Sequence, residues 1–156
     1  MTKKLKAITL TETVVYIAIF SIFMVILIQF FLSVQVNQDK VYKELELEMN
    51  QIFISNHLEE TLGHSSVFNS ENNSFFNKQE TLEYKILNGD LILEKDGVVT
   101  SLVNSKAVAQ SISFEPIWAQ EGIASAVKIN VSLRHSGNER VTRDFSNLIK
   151  LAIHEE

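Results

Sequence analysis

Residues 13–36 read TVVYIAIFSIFMVILIQFFLSVQV, and no charged side chain occurs from 13 to 38. At about 1.5 Å rise per residue, those 26 residues make a helix of roughly 39 Å, longer than the roughly 30 Å of a bilayer's hydrocarbon core. The stretch therefore predicts one membrane-spanning helix. Glu12 stands at its mouth. A carboxylate costs up to about 3 kcal/mol at mid-bilayer on insertion scales and less near the interface, so an acid there is a candidate functional residue by default. A structural role is also open, because an acid in the first turn favours the helix macrodipole. That role accounts neither for the basic stretch before it nor for the length of the apolar run.

Lys3, Lys4 and Lys6 precede the span. They bias the N-terminus toward the cytoplasm and place everything after Gln38 on the outer side. The apolar run is too long for the core of a secretory signal, and no small-x-small cleavage site follows it, since Phe30, Phe31 and Leu32 stand where one would be. The segment is expected to stay attached.

Lys6-Ala7-Ile8-Thr9-Leu10-Thr11-Glu12, followed by VVYIAIFSIF, resembles the start of a type IV prepilin or pseudopilin. Carried over residue by residue, the resemblance implies cleavage after Ala7 by a prepilin peptidase and an N-methylated terminus at Ile8. Thr9 and Leu10 match the family's Thr-Leu pair, and Glu12 matches the acid that pairs with a neighbour's terminal amine. Most members carry Gly where Ala7 stands. Major pilins also commonly have a Pro near the place of Gln29 and a Gly near Ser21, and this chain has neither, which makes it more similar to a minor pilin or pseudopilin. The resemblance covers about thirty residues. Its implied partners are the peptidase, other pilin or pseudopilin subunits and an inner-membrane assembly platform. The implied location is the inner (cytoplasmic) membrane, single-pass with the domain outside, and then a cell-surface or periplasmic filament serving secretion or competence.

The physical logic holds without the name. Cutting after Ala7 removes three lysines, leaving 11 basic against 19 acidic side chains, and creates an amine that a staggered neighbour can offer to Glu12. Such a pair is attractive in a low-dielectric bundle only when both charges arrive together.

About 118 residues lie beyond the span, enough for one compact domain. With no cysteine, that domain must be held by an apolar core and by packing on the helix. Past Gln38 the pattern becomes amphipathic, with Val41, Leu45, Met49, Ile52 and Phe53 at helical spacing, and no Pro or Gly interrupts residues 8–62. One helix of about 55 residues is expected, ending at Gly63 as a C-cap, with that stripe lying under a sheet.

The remaining organisation reads as a polar loop over 63–78, then strands. Runs at 81–87 and 90–95 flank Asn88-Gly89, a hairpin signal, and Asp96-Gly97 leads into 98–103. Further strands are expected at 108–114 and 127–133. The ending fits strand or helix by spacing, and similarity to pilin domains favours strand. The divisions are thus a leader at 1–7, an assembly helix at 8–38, its amphipathic continuation at 39–62, the loop, and a sheet domain at 79–156. The fold class is α+β, pilin-like: a long N-terminal helix, first transmembrane and then amphipathic, packed on an antiparallel sheet of about five or six strands.

Little in the outer domain suggests chemistry, so neither an enzyme nor a cofactor is expected. His57 and His64, with Glu60 between them, lack a third ligand at diagnostic spacing, and no metal site is expected. No nucleophile elbow or phosphate-cradling glycine loop occurs. Arg134, Arg140 and Arg143 form the one locally basic region. A weak nucleic-acid reading stands beside a solvated turn offset by Glu139 and Asp144, which the acidic balance favours. Trp118 is expected to pack in the core. The functional expectation is a structural filament subunit, and the competing class is a single-pass membrane-anchored binding protein that never polymerises.

Overall fold

A computed structural model of the chain describes residues 10–63, 67–77, 80–120 and 123–151. The first element, α1 (Leu10–Leu62), runs 53 residues without a break. Absence of Pro and Gly permits this, because either would cost about 1–3 kcal/mol in the interior. The helix stops at Gly63, whose N–H still bonds the Glu59 carbonyl at 3.0 Å. Gly63 ends the helix as expected, without a left-handed φ; a Cβ there would lie 2.6 Å from the Glu59 oxygen, so its need for glycine is steric.

The chain divides into two units, Met1–Val41 and Tyr42–Glu156. Within the first, α1 is long and apolar enough to cross a membrane: its most apolar window has mean hydropathy 2.7, and none of that window is buried in the protein.

In the second unit the rest of α1 packs on two antiparallel sheets, giving an α+β fold. One sheet has the order β1 (Val67–Asn69), β2 (Ser74–Asn77), β3 (Glu80–Leu87), β4 (Asp90–Lys95), β5 (Val98–Ser101). The other has β6 (Ala107–Gln120), β7 (Ile123–His135) and β8 (Asn138–Lys150). The β3–β4 turn places Asn88 and Gly89 at φ 53° and 86°, the left-handed pair that a two-residue hairpin requires, and Asp96-Gly97 repeats it at 50° and 80°. The sheets meet where Gly89 O accepts the Ala109 N–H at 2.7 Å. Leu47, Ile54, Leu58 and Leu62 of α1 share the core with Phe75, Leu91, Val127, Ile129 and Leu133.

Several expectations need correction. The span 63–78 is not simply a loop, because β1 and β2 form a hairpin that sets Phe68 opposite Phe75 and buries both. Three phenylalanines, two of them adjacent, within an Asn/Ser-rich segment leave no readable alternation. The single sheet of five or six strands is eight strands in two sheets among the described residues. β6 continues past Phe114 through Pro116, tolerated because β6 is an edge strand. Trp118 therefore lies on a strand and is exposed rather than in the core. The ending is strand through Lys150.

Candidate functional site

The face of α1 turned to its own domain is not the one the apolar spacing suggested. Leu47, Asn50, Ile54, Leu58 and Leu62 are buried. Val41, Tyr42, Leu45, Met49, Ile52 and Phe53 are 49–67% exposed. Residues two apart on an α-helix differ by about 200° around the axis, so Leu45 lies nearly opposite Leu47, and Ile52 nearly opposite Ile54. From Tyr42 onward the helix has two apolar stripes on opposed sides. Its own sheets cover one, while polar contacts fix the flanks. Ser55 Oγ donates to Asn147 Oδ1 at 3.0 Å, Arg143 Nε to Gln51 Oε1 at 2.6 Å, and His135 Nε2 sits 2.7 Å from Glu46 Oε2. The Gly137 N–H donates to His135 Nδ1 at 3.0 Å, so the ring carries its proton on Nε2 and donates it to Glu46.

At the N-terminal end, Ala7, Ile8 and Thr9 lie outside the described residues. Leu10 opens the helix, exposed, and Glu12 occupies the first turn, where its Oε1 accepts the Tyr16 hydroxyl at 3.3 Å. Tyr16 is one turn on, the i,i+4 neighbour on the same face. The phenol hydroxyl orients the carboxylate as a neutral donor.

The three arginines do not form a patch. Arg134 pairs with Glu139 across the β7–β8 turn, and Arg143 reaches α1, its Nη2 3.8 Å from Glu48. Arg140 is exposed on β8. Two of the three serve contacts within the domain, which leaves little concentrated positive field for phosphate.

His57 is a packing residue. It stacks on Phe53, meets Tyr84 edge-on, and lies 3.5 Å from Thr61 Oγ1. Burial holds its pKa below the ordinary value, opposed in part by Glu60. His64 lies outside the described residues, and among those described no three His, Cys, Asp or Glu side chains cluster as metal ligands. Burial among the aromatics pushes the Tyr84 hydroxyl well above its usual range.

Two helix faces were missed from sequence because Asn50 interrupts the stripe that is buried, whereas the exposed stripe is uninterrupted and so reads as core. Compared with protein-family models, with curated proteins and with solved structures, the chain matches none.

Proposed function

We propose that this chain is a minor pilin or pseudopilin: a structural subunit of a type IV pilus-like filament or secretion pseudopilus. It is cleaved after Ala7, held in the membrane by residues 8–38, and assembled through helix bundling with Glu12 paired to the Ile8 amine of a neighbour. The observation that carries the reading is the second apolar stripe. A single-pass anchor needs apolar residues only in the bilayer, and a helix docked on its own domain needs only one apolar face beyond it. Here Leu45, Met49, Ile52 and Phe53 form an exposed apolar stripe on the side of α1 opposite the domain core. Contiguous exposed apolar surface marks an interaction site, and neighbouring helices of the same kind would cover it. Glu12 in the first turn supplies the acid for that pairing, a charge-assisted hydrogen bond to the neighbour's amine.

The mature N-terminus decides. Mass spectrometry of the protein made with its own prepilin peptidase should find a peptide starting at methylated Ile8, lost when the peptidase is deleted. An intact leader in both strains sinks the filament reading and leaves the membrane-anchored binding protein. Glu12→Ala should insert normally into membranes yet fail to enter filaments.

A further inference from the structure

The sheet of β6, β7 and β8 has one face on the core. Val127, Ile129, Val131 and Leu133 are buried there, so Lys128, Asn130, Ser132 and Arg134 stand on the other face. On that outer face the register sets Ser111 opposite Ser132 and Ser132 opposite Asp144; the next rung is Ser113, Asn130 and Ser146. Six adjoining mid-strand positions thus carry small polar side chains. None is β-branched or aromatic, the types that stabilise a sheet, and Asn and Asp are disfavoured in strands. The rung beyond is long: Glu115, Lys128 and Leu148, with Lys128 Nζ 3.7 Å from Glu115. Arg134, bonded to Glu139, stands on the other side. Between these ridges lies a trough of about 530 Å³, lined by the polar Ser111, Asn130, Ser132, Asp144 and Ser146 together with Val131 and Phe145.

We propose that this trough binds a neutral, hydroxyl-rich oligosaccharide. The serine hydroxyls both donate and accept, and the Asp144 carboxylate can take hydrogen bonds from two adjacent sugar hydroxyls. Asn130 Nδ2 is held by Glu115 Oε1 at 2.9 Å and Ser113 Oγ at 3.3 Å, which fixes the amide with its Oδ1 free to accept. The only formal charge on the floor is negative, which opposes phosphate and sulfate polymers. Val131 and Phe145 border the trough with their side chains in or against the core, so the outward side chains of the floor are polar, which opposes lipid. The floor spans three strands, about 10 Å across, and two rungs, about 7 Å along them, room for a short saccharide segment. This inference is independent of the assembly reading, since it needs only the outer sheet face.

The test uses the full chain in detergent micelles, applied to an array of neutral oligosaccharides of hexose and N-acetylhexosamine units, with affinities then measured by calorimetry. At least one class should bind. Ser132→Tyr fills the trough with a strand-favouring residue, so binding should vanish while the thermal midpoint holds or rises. Asp144→Asn should weaken binding about tenfold or more, the usual effect of removing a charged hydrogen-bond acceptor. Failure of every neutral oligosaccharide, binding confined to anionic glycans or to calcium ions, or full binding by Ser132→Tyr would each overturn the proposal.

Discussion

Asn50 Oδ1 accepts the backbone N–H of Asn104 at 3.1 Å, while its Nδ2 donates to the Glu46 carbonyl at 2.8 Å. The side chain is buried in the middle of the helix stripe that faces the core. Asn104 in turn accepts the Lys106 N–H on its side chain and the Ala107 N–H on its carbonyl. One amide therefore ties α1 to the connection between the two sheets. Asn50→Leu makes the stripe uniformly apolar yet takes from the Asn104 N–H its acceptor, and should destabilise the domain by about 0.5–1.5 kcal/mol. Urea unfolding of the full chain in micelles checks this; an unchanged midpoint would mean water replaces the amide.

Leu45 and Leu47 differ by two positions and by nearly half a turn in environment. Leu47→Ala should cost about 2–5 kcal/mol, as for a packed core leucine. Leu45→Ala should leave domain stability within about 0.5 kcal/mol and, under the proposed assembly, reduce incorporation into filaments. Thermal unfolding of both variants, together with their recovery in sheared surface fractions, separates the two faces.

His57 makes the domain acid-sensitive in one direction. Its folded pKa lies below the ordinary 6.5, so as pH falls past that value the unfolded chain takes up a proton the folded chain still refuses. Stability should be flat from this residue above about pH 6.5 and should decline below it. His57→Gln should be less pH-dependent than the parent between pH 6.5 and 4.5, measured as the difference between their denaturation midpoints. Parallel curves would remove His57 from the account.

Gly89 and Gly97 sit at equivalent turn positions with φ of 86° and 80°. Alanine at either pays about 1–2 kcal/mol for left-handed backbone. At Gly89 the new Cβ would also lie 2.9 Å from Val108 Cγ1, whereas Gly97 has nothing within 4 Å. Gly89→Ala should therefore lower the melting temperature more than Gly97→Ala, and equal shifts would show that the β4–β6 approach relaxes without cost.

What could be read in advance were the features with a local cause. The apolar span, the unbroken helix, the Asn88-Gly89 and Asp96-Gly97 turns and the alternation at 127–133 each rest on neighbours in sequence. What could not be read depends on which face meets which partner. Leu45 and Leu47 are the same residue type, and only packing distinguishes them. Phe68 and Phe75 become a hairpin because the core has room for their rings. Arg143 looks like part of a basic loop until its contact with Gln51 and Glu48 is seen. Ser111, Ser132 and Asp144 are scattered over 34 positions and form a row only once the β6–β7–β8 register exists.

Both sheets are plain meanders: each strand pairs only with the strand before and after it in the chain. Loop-closure entropy within each sheet thus arises hairpin by hairpin, and the strand–strand pairings stay local in sequence. Pairing can begin as soon as two successive strands have been synthesised, without waiting for the C-terminus. The slow event left over is the docking of the finished sheets on α1, and destabilising changes at Asn50, Leu47 or Asn147 should act chiefly on that last step.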